Sequence, residues 1–239
     1  MSRLTGKVAI VTGSSSGIGK AIALRFGEEG ASVIVAARNA EGCEKTARAI
    51  RQKGGDARVI QTDIRHEGQV DALFERTVQD CGRVDVAVHN AGIFGGNRIA
   101  ETSTEAFDEV IRVNLRGTFL CCRAAFKQMK KQGGGLIINV SSVAGVQAWA
   151  GTGSYSASKH GVMALTRALA DEGRPFHIKV SAICPGGVAE DLVDASESDI
   201  LQSEKISPFD IAETAVYLCS LSRFAVVPEV VVNRLGADW

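Results

Sequence analysis

The apolar run Val8-Ala9-Ile10-Val11 breaks directly into Thr12-Gly13-Ser14-Ser15-Ser16-Gly17-Ile18-Gly19, after which Ile18, Ile22, Ala23 and Phe26 recur at helical spacing. A strand, a glycine-rich turn and a helix in that order constrain the chain more than any other feature. They open a βα unit in which the backbone N–H groups of the first helical turn have no partner inside the helix. Such groups bind phosphate, and glycines let a ligand approach the backbone closely. Gly13, Ser14, Ser15, Ser16, Gly17, Ile18 and Gly19 are therefore candidate binding residues.

The unit repeats. Apolar strand-like runs fall near residues 7–12, 32–37, 58–62, 84–89, 136–140, 179–184 and 230–232. Helical stretches at 17–29, 40–53, 67–80, 105–131, 154–172 and 208–221 lie between them. This alternation predicts an α/β fold, a single doubly wound Rossmann-type domain with a parallel seven-stranded sheet and helices on both faces, spanning 1–239. Gly133-Gly134-Gly135 reads as a helix-to-strand turn within it. Ligands of such sheets bind beyond the carboxyl ends of the strands. The glycine turn, Asp63, Asn90, Ser142 and Pro185 all follow strands, so they belong to one edge and to one site.

Three other motifs compete for the glycine turn. A Walker A loop fails twice, because Ser14 stands where its first glycine belongs and Ala21 follows Lys20. The Gly-x-Gly-x-x-Gly fingerprint fails because Ser15 follows Gly13 at the second glycine position. Gly13-Ser14-Ser15-Ser16-Gly17 matches the Gly-x-Ser-x-Gly elbow of serine hydrolases, but an elbow on the first strand has no upstream loop to supply an oxyanion donor. None of His66, His89, His160 and His177 stands out as a triad partner.

The second signal lies in Tyr155-Ser156-Ala157-Ser158-Lys159. Positions i and i+4 share a helix face, and Val162, Leu165 and Leu169 continue the helical spacing. An ammonium on that face favours the phenolate and lowers the tyrosine pKa from about 10. Reaching 7 takes about 4 kcal/mol, more than one lysine supplies, so a cationic ring nearby is the natural second source. The tyrosine then serves as general acid or base toward an alcohol or carbonyl. Ser142, after Leu136-Ile137-Ile138-Asn139-Val140, is placed to hydrogen-bond the carbonyl oxygen.

With Thr12-Gly13-x-x-x-Gly17-x-Gly19, His89-Asn90-Ala91-Gly92, Asn114, Ser142, Tyr155-x-x-x-Lys159 and Pro185-Gly186 in this order, the chain resembles the short-chain dehydrogenase/reductases of the compact form. The resemblance covers about residues 5 to 188. It implies an oxidoreductase that moves hydride between a nicotinamide cofactor and a carbonyl or secondary alcohol. Tyr155 would be the acid/base and Lys159 its activator and a ligand of the nicotinamide ribose. Ser142 would hold the substrate carbonyl and Asn114 a relay water. Asp63 and Ile64 would hold the adenine, while Asn90, Ala91, Gly92, Pro185, Gly186 and Val188 would line the cofactor groove. A homo-oligomer, tetramer or dimer, is also implied, although Val230-Val231-Val232-Asn233-Arg234-Leu235-Gly236 departs from the usual ending of the last strand.

The second strand ends at Ala37, where NAD-binding sites of this fold place an acid, and Arg38 comes next. A guanidinium suits a 2′-phosphate, which favours NADP over NAD, with the Ser14 and Ser15 hydroxyls as further donors. Against this, Ser16 withholds a basic residue that many NADP-binding relatives carry. The threonine that usually touches the nicotinamide carboxamide is replaced by Glu190, which opens a short acidic segment ending at Ser207. Residues 186–207 are expected to cover the substrate, and the few large apolar residues there favour a small or medium polar carbonyl compound. Ile93-Phe94-Gly95-Gly96-Asn97-Arg98 is expected beside it, and Trp149 either there or packed on a dimer face or the core. A second reading, a catalytically weak nicotinamide-nucleotide sensor or partner-binding protein, rests on Glu190 and the C-terminal departure.

Twenty-seven basic and twenty-seven acidic residues cancel without a like-charge run, which argues against a nucleic-acid partner. No apolar stretch approaches the roughly 18 residues that span a bilayer, and no signal peptide precedes the first strand. The six cysteines show no Cys-x-x-Cys spacing, so no metal is expected and they read as reduced thiols of a cytoplasmic protein.

Overall fold

The computed structural model describes residues 2–237; Met1, Asp238 and Trp239, included in the expected span 1–239, lie outside the described residues. Seven strands form its sheet: β1 (Val8–Thr12), β2 (Ser32–Ala36), β3 (Asp56–Val59), β4 (Val86–His89), β5 (Gly135–Val140), β6 (Ile178–Pro185) and β7 (Glu229–Val232). Their order is β3-β2-β1-β4-β5-β6-β7, with every pairing parallel. The order reverses between β1 and β4, which opens the binding crevice of a doubly wound sheet at their carboxyl ends.

The strands read as continuous apolar runs because both faces are covered. Val11, Val33, Val35, Val88 and Ile138 face a core shared with α1 (Gly17–Glu28), α2 (Ala40–Gln52) and α8 (Pro208–Ser220). The alternate residues Ile10, Ile34, Ala87, Ile137 and Val180 face α3 (Glu67–Cys81), α5 (Thr118–Gln132) and α6 (Gly153–Gly173). Phe26 is fully buried and pins α1 to the sheet; truncating such a ring costs about 3–5 kcal/mol. The helix therefore holds the glycine turn in a fixed place above β1.

Beyond shifts of one or two residues at element ends, three segments differ from the sequence reading. β3 begins at Asp56 rather than near Arg58, because an edge strand tolerates polar residues that an apolarity criterion skips. The helix expected over 105–131 is α4 (Thr104–Val110), a π-helical segment (Ile111–Gly117) and α5. The segment after Glu190 contains a 3₁₀ turn (Glu190–Leu192) and α7 (Glu197–Gln202), both without the long apolar periodicity that would reveal them. The glycine triplet ends α5 as expected, with Gly133 in the left-handed conformation.

Candidate active site

One cleft of about 940 Å³ runs across the carboxyl ends of the strands. At its centre the glycine turn is clamped between β1 and β4. The Thr12 hydroxyl oxygen accepts from the backbone N–H of Asn90 (3.1 Å) and of Ala91 (3.3 Å), and the Asn90 amide donates to Thr12 O at 3.2 Å. Gly13 and Gly17 have φ of +71° and +54°, and a Cβ on Gly13 would lie 2.8 Å from Ala91 Cα. Both the conformation and the close approach require glycine there. Gly13, Ser15, Ser16 and Ile18 face the cleft, while Gly19 packs beneath the Asn90 amide.

At the β2 end, Ala37, Arg38, Asp63 and Ile64 line the cleft. The Arg38 carbonyl accepts from Gln61, but its guanidinium has no partner among the described residues. Ser15 lies here too, whereas Ser14 corrects an expectation. Its hydroxyl is buried, donates to Val11 O at 2.7 Å and accepts from Ala36 N at 3.0 Å, so it braces the turn and is not a donor to a ligand. Asp63 is also committed: Arg65 approaches its carboxylate at 2.6 Å and continues to Glu109 at 2.9 Å. The Arg65 hydrogen bonds hold the Asp63 pKa down at about 2, so any adenine contact shares that carboxylate with Arg65. Arg65 was missed in the sequence, although an opposite charge two residues after Asp63 is visible there.

At the β5 end, Ser142, Tyr155 and Lys159 converge. The extended backbone after β5 places Ser142, whose Oγ accepts from Ala144 N at 3.1 Å and donates to Pro185 O at 3.4 Å. α6 carries Tyr155 and Lys159 on one face, with Lys159 Nζ 5.7 Å from the Tyr155 ring centre and donating to Val140 O at 3.0 Å. Pro185, Gly186 and Val188 form the facing wall. Asn114 lies behind the cleft, buried in the π-helical segment. Its Oδ1 accepts from Ile93 N at 2.8 Å, and its Nδ2 donates to Ile93 O at 2.9 Å and to Ser158 Oγ at 3.1 Å. Such a widened turn re-aims a side chain and recurs at functional sites. Here it spends the amide on the loop that carries Gly92 and Phe94.

The expected lowering of the tyrosine pKa does not occur in the protein alone. Burial pushes the Tyr155 phenol up, with Ser142 opposing and the Glu190 charge adding to the rise. Burial also depresses Lys159 to about 8, with Glu190 opposing. A lysine that has lost part of its preference for charge does less to favour a phenolate beside it.

Four further groups bear on the site. The Phe94 ring is 71% exposed, 5.1 Å from that of Tyr155, and with Trp149 it rims the cleft. Below the floor, buried His89 bonds Asn139 Oδ1 through Nδ1 at 2.9 Å, leaving Nε2 unpartnered among the described residues. Burial lowers its pKa to about 4. Glu190 also lines the cleft, its Oε2 resting against Gly17. Among the described residues, no group of three or more His, Cys, Asp and Glu is arranged to hold a metal, and no helix is long and apolar enough to cross a membrane.

These donors fit a nicotinamide dinucleotide. Glycines take the volume that a Cβ would fill at the phosphate turn, a partnerless guanidinium follows the second strand, and a phenol and an amine meet at the far end. The short chain dehydrogenase family profile matches residues 7–200. An uncharacterized oxidoreductase, YxjF of Bacillus subtilis, is 39% identical over 94% of this chain and 88% of its own. Levodione reductase of Leifsonia aquatica is 36% identical over 95% and 85%. A metagenomic short-chain oxidoreductase crystallised with NADP superposes with a TM-score of 0.85 at 34% identity, covering 97% of this chain and 98% of that one. The chain belongs to the short-chain dehydrogenase/reductase family of oxidoreductases.

Proposed function

We propose that the protein is an NADP-dependent reductase or dehydrogenase acting on a carbonyl or secondary alcohol of a small or medium substrate. One observation carries the reading: the partnerless Arg38 at one end of the cleft and Ser142, Tyr155 and Lys159 at the other are joined by the glycine turn. When bound, the nicotinamide supplies or takes up the hydride. The chain's own residues handle the proton and the orientation. Tyr155 Oη delivers a proton to the substrate oxygen in reduction and removes it in oxidation. Ser142 Oγ turns from Pro185 O to hydrogen-bond the same oxygen, which fixes its distance from Tyr155. Lys159 favours the phenolate in the oxidative direction, while Asn114 holds the loop that carries Gly92 and Phe94. Phe94 and Trp149 exclude water from one side of the reacting carbon. The segment 186–207 covers the other side, and the chain works as a homo-oligomer.

A second reading, a nicotinamide-nucleotide sensor with little turnover, is favoured by one feature: Glu190 lies on the turn where a cofactor's phosphates belong. Titration with NADPH and separately with NADH, followed by nicotinamide fluorescence, tests the cofactor assignment. NADPH should bind more tightly, and a preference for NADH refutes the role of Arg38. Consumption of NADPH across a panel of ketones then separates the two readings. Turnover that Tyr155→Phe removes supports the enzyme, and binding without turnover of any ketone supports the sensor.

A further inference from the structure

Glu190 lies where the glycine turn meets α1. A Cβ on Gly17 would stand 2.8 Å from Glu190 Oε2 and 3.3 Å from its Cβ, so the carboxylate is packed directly on the first residue of the helix. The contact is braced nearby. Lys20, on the same helix, holds Asp194 at 2.5 Å, and Ala189 N donates to Ile206 O at 2.9 Å. The 3₁₀ turn Glu190–Leu192 is thus tied to α1 on one side and to the approach to α8 on the other.

The charge balance at this spot is unusual. Ser16 caps α1 without a side-chain bond, so the N–H groups of the first turn have no side-chain acceptor from their own cap. A carboxylate near them gains from the helix dipole, as a phosphate would. Lys159 of α6 is the cation that acts on it, Asp191 of its own turn repels it, and Tyr155 of α6 feels its charge. Lys20 of α1 is taken up by Asp194. Glu190 therefore has no dedicated partner among the described residues; its side chain keeps contact with water, and the partial desolvation against the turn pushes its pKa up, with Lys159 opposing.

We infer that Glu190 occupies the seat of the cofactor's diphosphate, so that its charge sets how tightly the cleft takes any dinucleotide. The inference rests on the reading of the cleft as a nicotinamide-dinucleotide site. A diphosphate and an ionised carboxylate do not share one helix N-terminus: Glu190 either swings out, giving up its helix contact, or takes a proton and becomes a donor to the incoming oxygens. Binding of the diphosphate is then weakened at alkaline pH and relieved as the pH falls. Glutamine at this position keeps the shape and presents an N–H donor, and threonine presents a hydroxyl.

The test compares the wild type with Glu190→Gln and Glu190→Thr by calorimetric titration with two probes lacking nicotinamide. One, 2′-phospho-ADP-ribose, carries the diphosphate; the other, 2′-AMP, does not. At pH 8 both variants should bind 2′-phospho-ADP-ribose about tenfold more tightly than the wild type, with 2′-AMP unchanged within twofold. As the pH is lowered from 8 the gap between the wild type and Glu190→Gln should narrow, because only the wild type loses a charge at this position. Equal affinities for 2′-phospho-ADP-ribose in all three proteins overturn the inference and leave the dinucleotide reading standing. An equal gain for both probes also overturns it, since the effect is then not at the diphosphate. Binding of neither probe by any of the three overturns the dinucleotide reading, and the inference with it.

Discussion

The two ends of the cleft are built on opposite principles. At the β2 end the charged groups are settled: Arg38 is exposed, its guanidinium uncommitted among the described residues, and the part-buried Asp63 is held ionised by Arg65. At the β5 end the ionisable groups sit where burial opposes their charged forms. Lys159 is lowered to about 8, the Tyr155 phenol is raised, and His89 beneath them is lowered to about 4. The first end is ready for an anion as it stands. The second opposes charge as it stands; on the proposed reading a positive ring beside the phenol would restore its preference for phenolate, while Lys159 and His89 gain nothing from that charge. Recognition here needs only exposure, whereas acid–base chemistry needs groups whose proton affinity changes when the site fills.

The largest effect that would break this contrast comes from Tyr155→Phe. Removing the hydroxyl should lower kcat by about 10³-fold, within the range for a general acid, and leave the NADPH Kd within twofold. Stopped-flow turnover and fluorescence titration on one preparation measure both. If NADPH affinity and kcat were lost together, the two ends would not be separable.

His89 supplies the second test, this time on stability. Its folded pKa of about 4 lies below the ordinary 6.5, so the unfolded chain binds the proton more readily. Above 6.5 the group contributes no pH dependence. As the pH falls through 6.5 toward 4, stability should drop by about 3 kcal/mol, at 1.36 kcal/mol per pKa unit. Urea unfolding of the wild type and His89→Asn at pH 7 and pH 4 isolates this loss from that of the acidic groups. A difference between the two proteins that is independent of pH would show that His89 is not held neutral.

How much of this contrast was readable in the sequence divides along the same line. The glycine turn, Arg38 after the second strand and the Tyr155–Lys159 spacing are local patterns, so the chain order alone placed them at one edge of a parallel sheet. Proton affinities are not local. The rise of the Tyr155 phenol depends on how deeply α6 is covered and on Glu190 arriving from a segment thirty-five residues later, and spacing records neither. Ser14 and Ser15 are indistinguishable in sequence, yet the turn aims one hydroxyl at Val11 O and leaves the other at the cleft. The π-helical segment escaped because it is set by backbone hydrogen bonds one residue longer than those of an α-helix, which residue spacing over seven positions does not record.

Arg38→Ala probes the ready end. A charge-assisted guanidinium–phosphate pair at an exposed site should be worth roughly tenfold to thirtyfold in Kd for NADPH and nothing for NADH. Because the pair is solvated, the loss should shrink as salt is raised from low ionic strength to 0.5 M. Comparable losses for both nucleotides would mean that Arg38 shapes the loop and does not read the phosphate.

The smallest expected effect lies at the rim, where Phe94 touches the catalytic end without being part of its charge balance. The ring is largely exposed, so Phe94→Ala should lower the melting temperature by a few degrees at most. It meets Tyr155 at 5.1 Å with the planes tilted by 58°, a geometry worth about 0.5–1.5 kcal/mol between aromatic groups. On the proposed reading a substrate carbonyl sits beside Tyr155, so the ring next to that phenol would also cover the substrate. Its loss should raise KM for a reducible ketone severalfold, up to about tenfold, with kcat and the NADPH Kd nearly constant. A fall in kcat at unchanged KM would point elsewhere: it would mean that the ring positions the phenol itself, and that the catalytic end depends on packing as much as on charge.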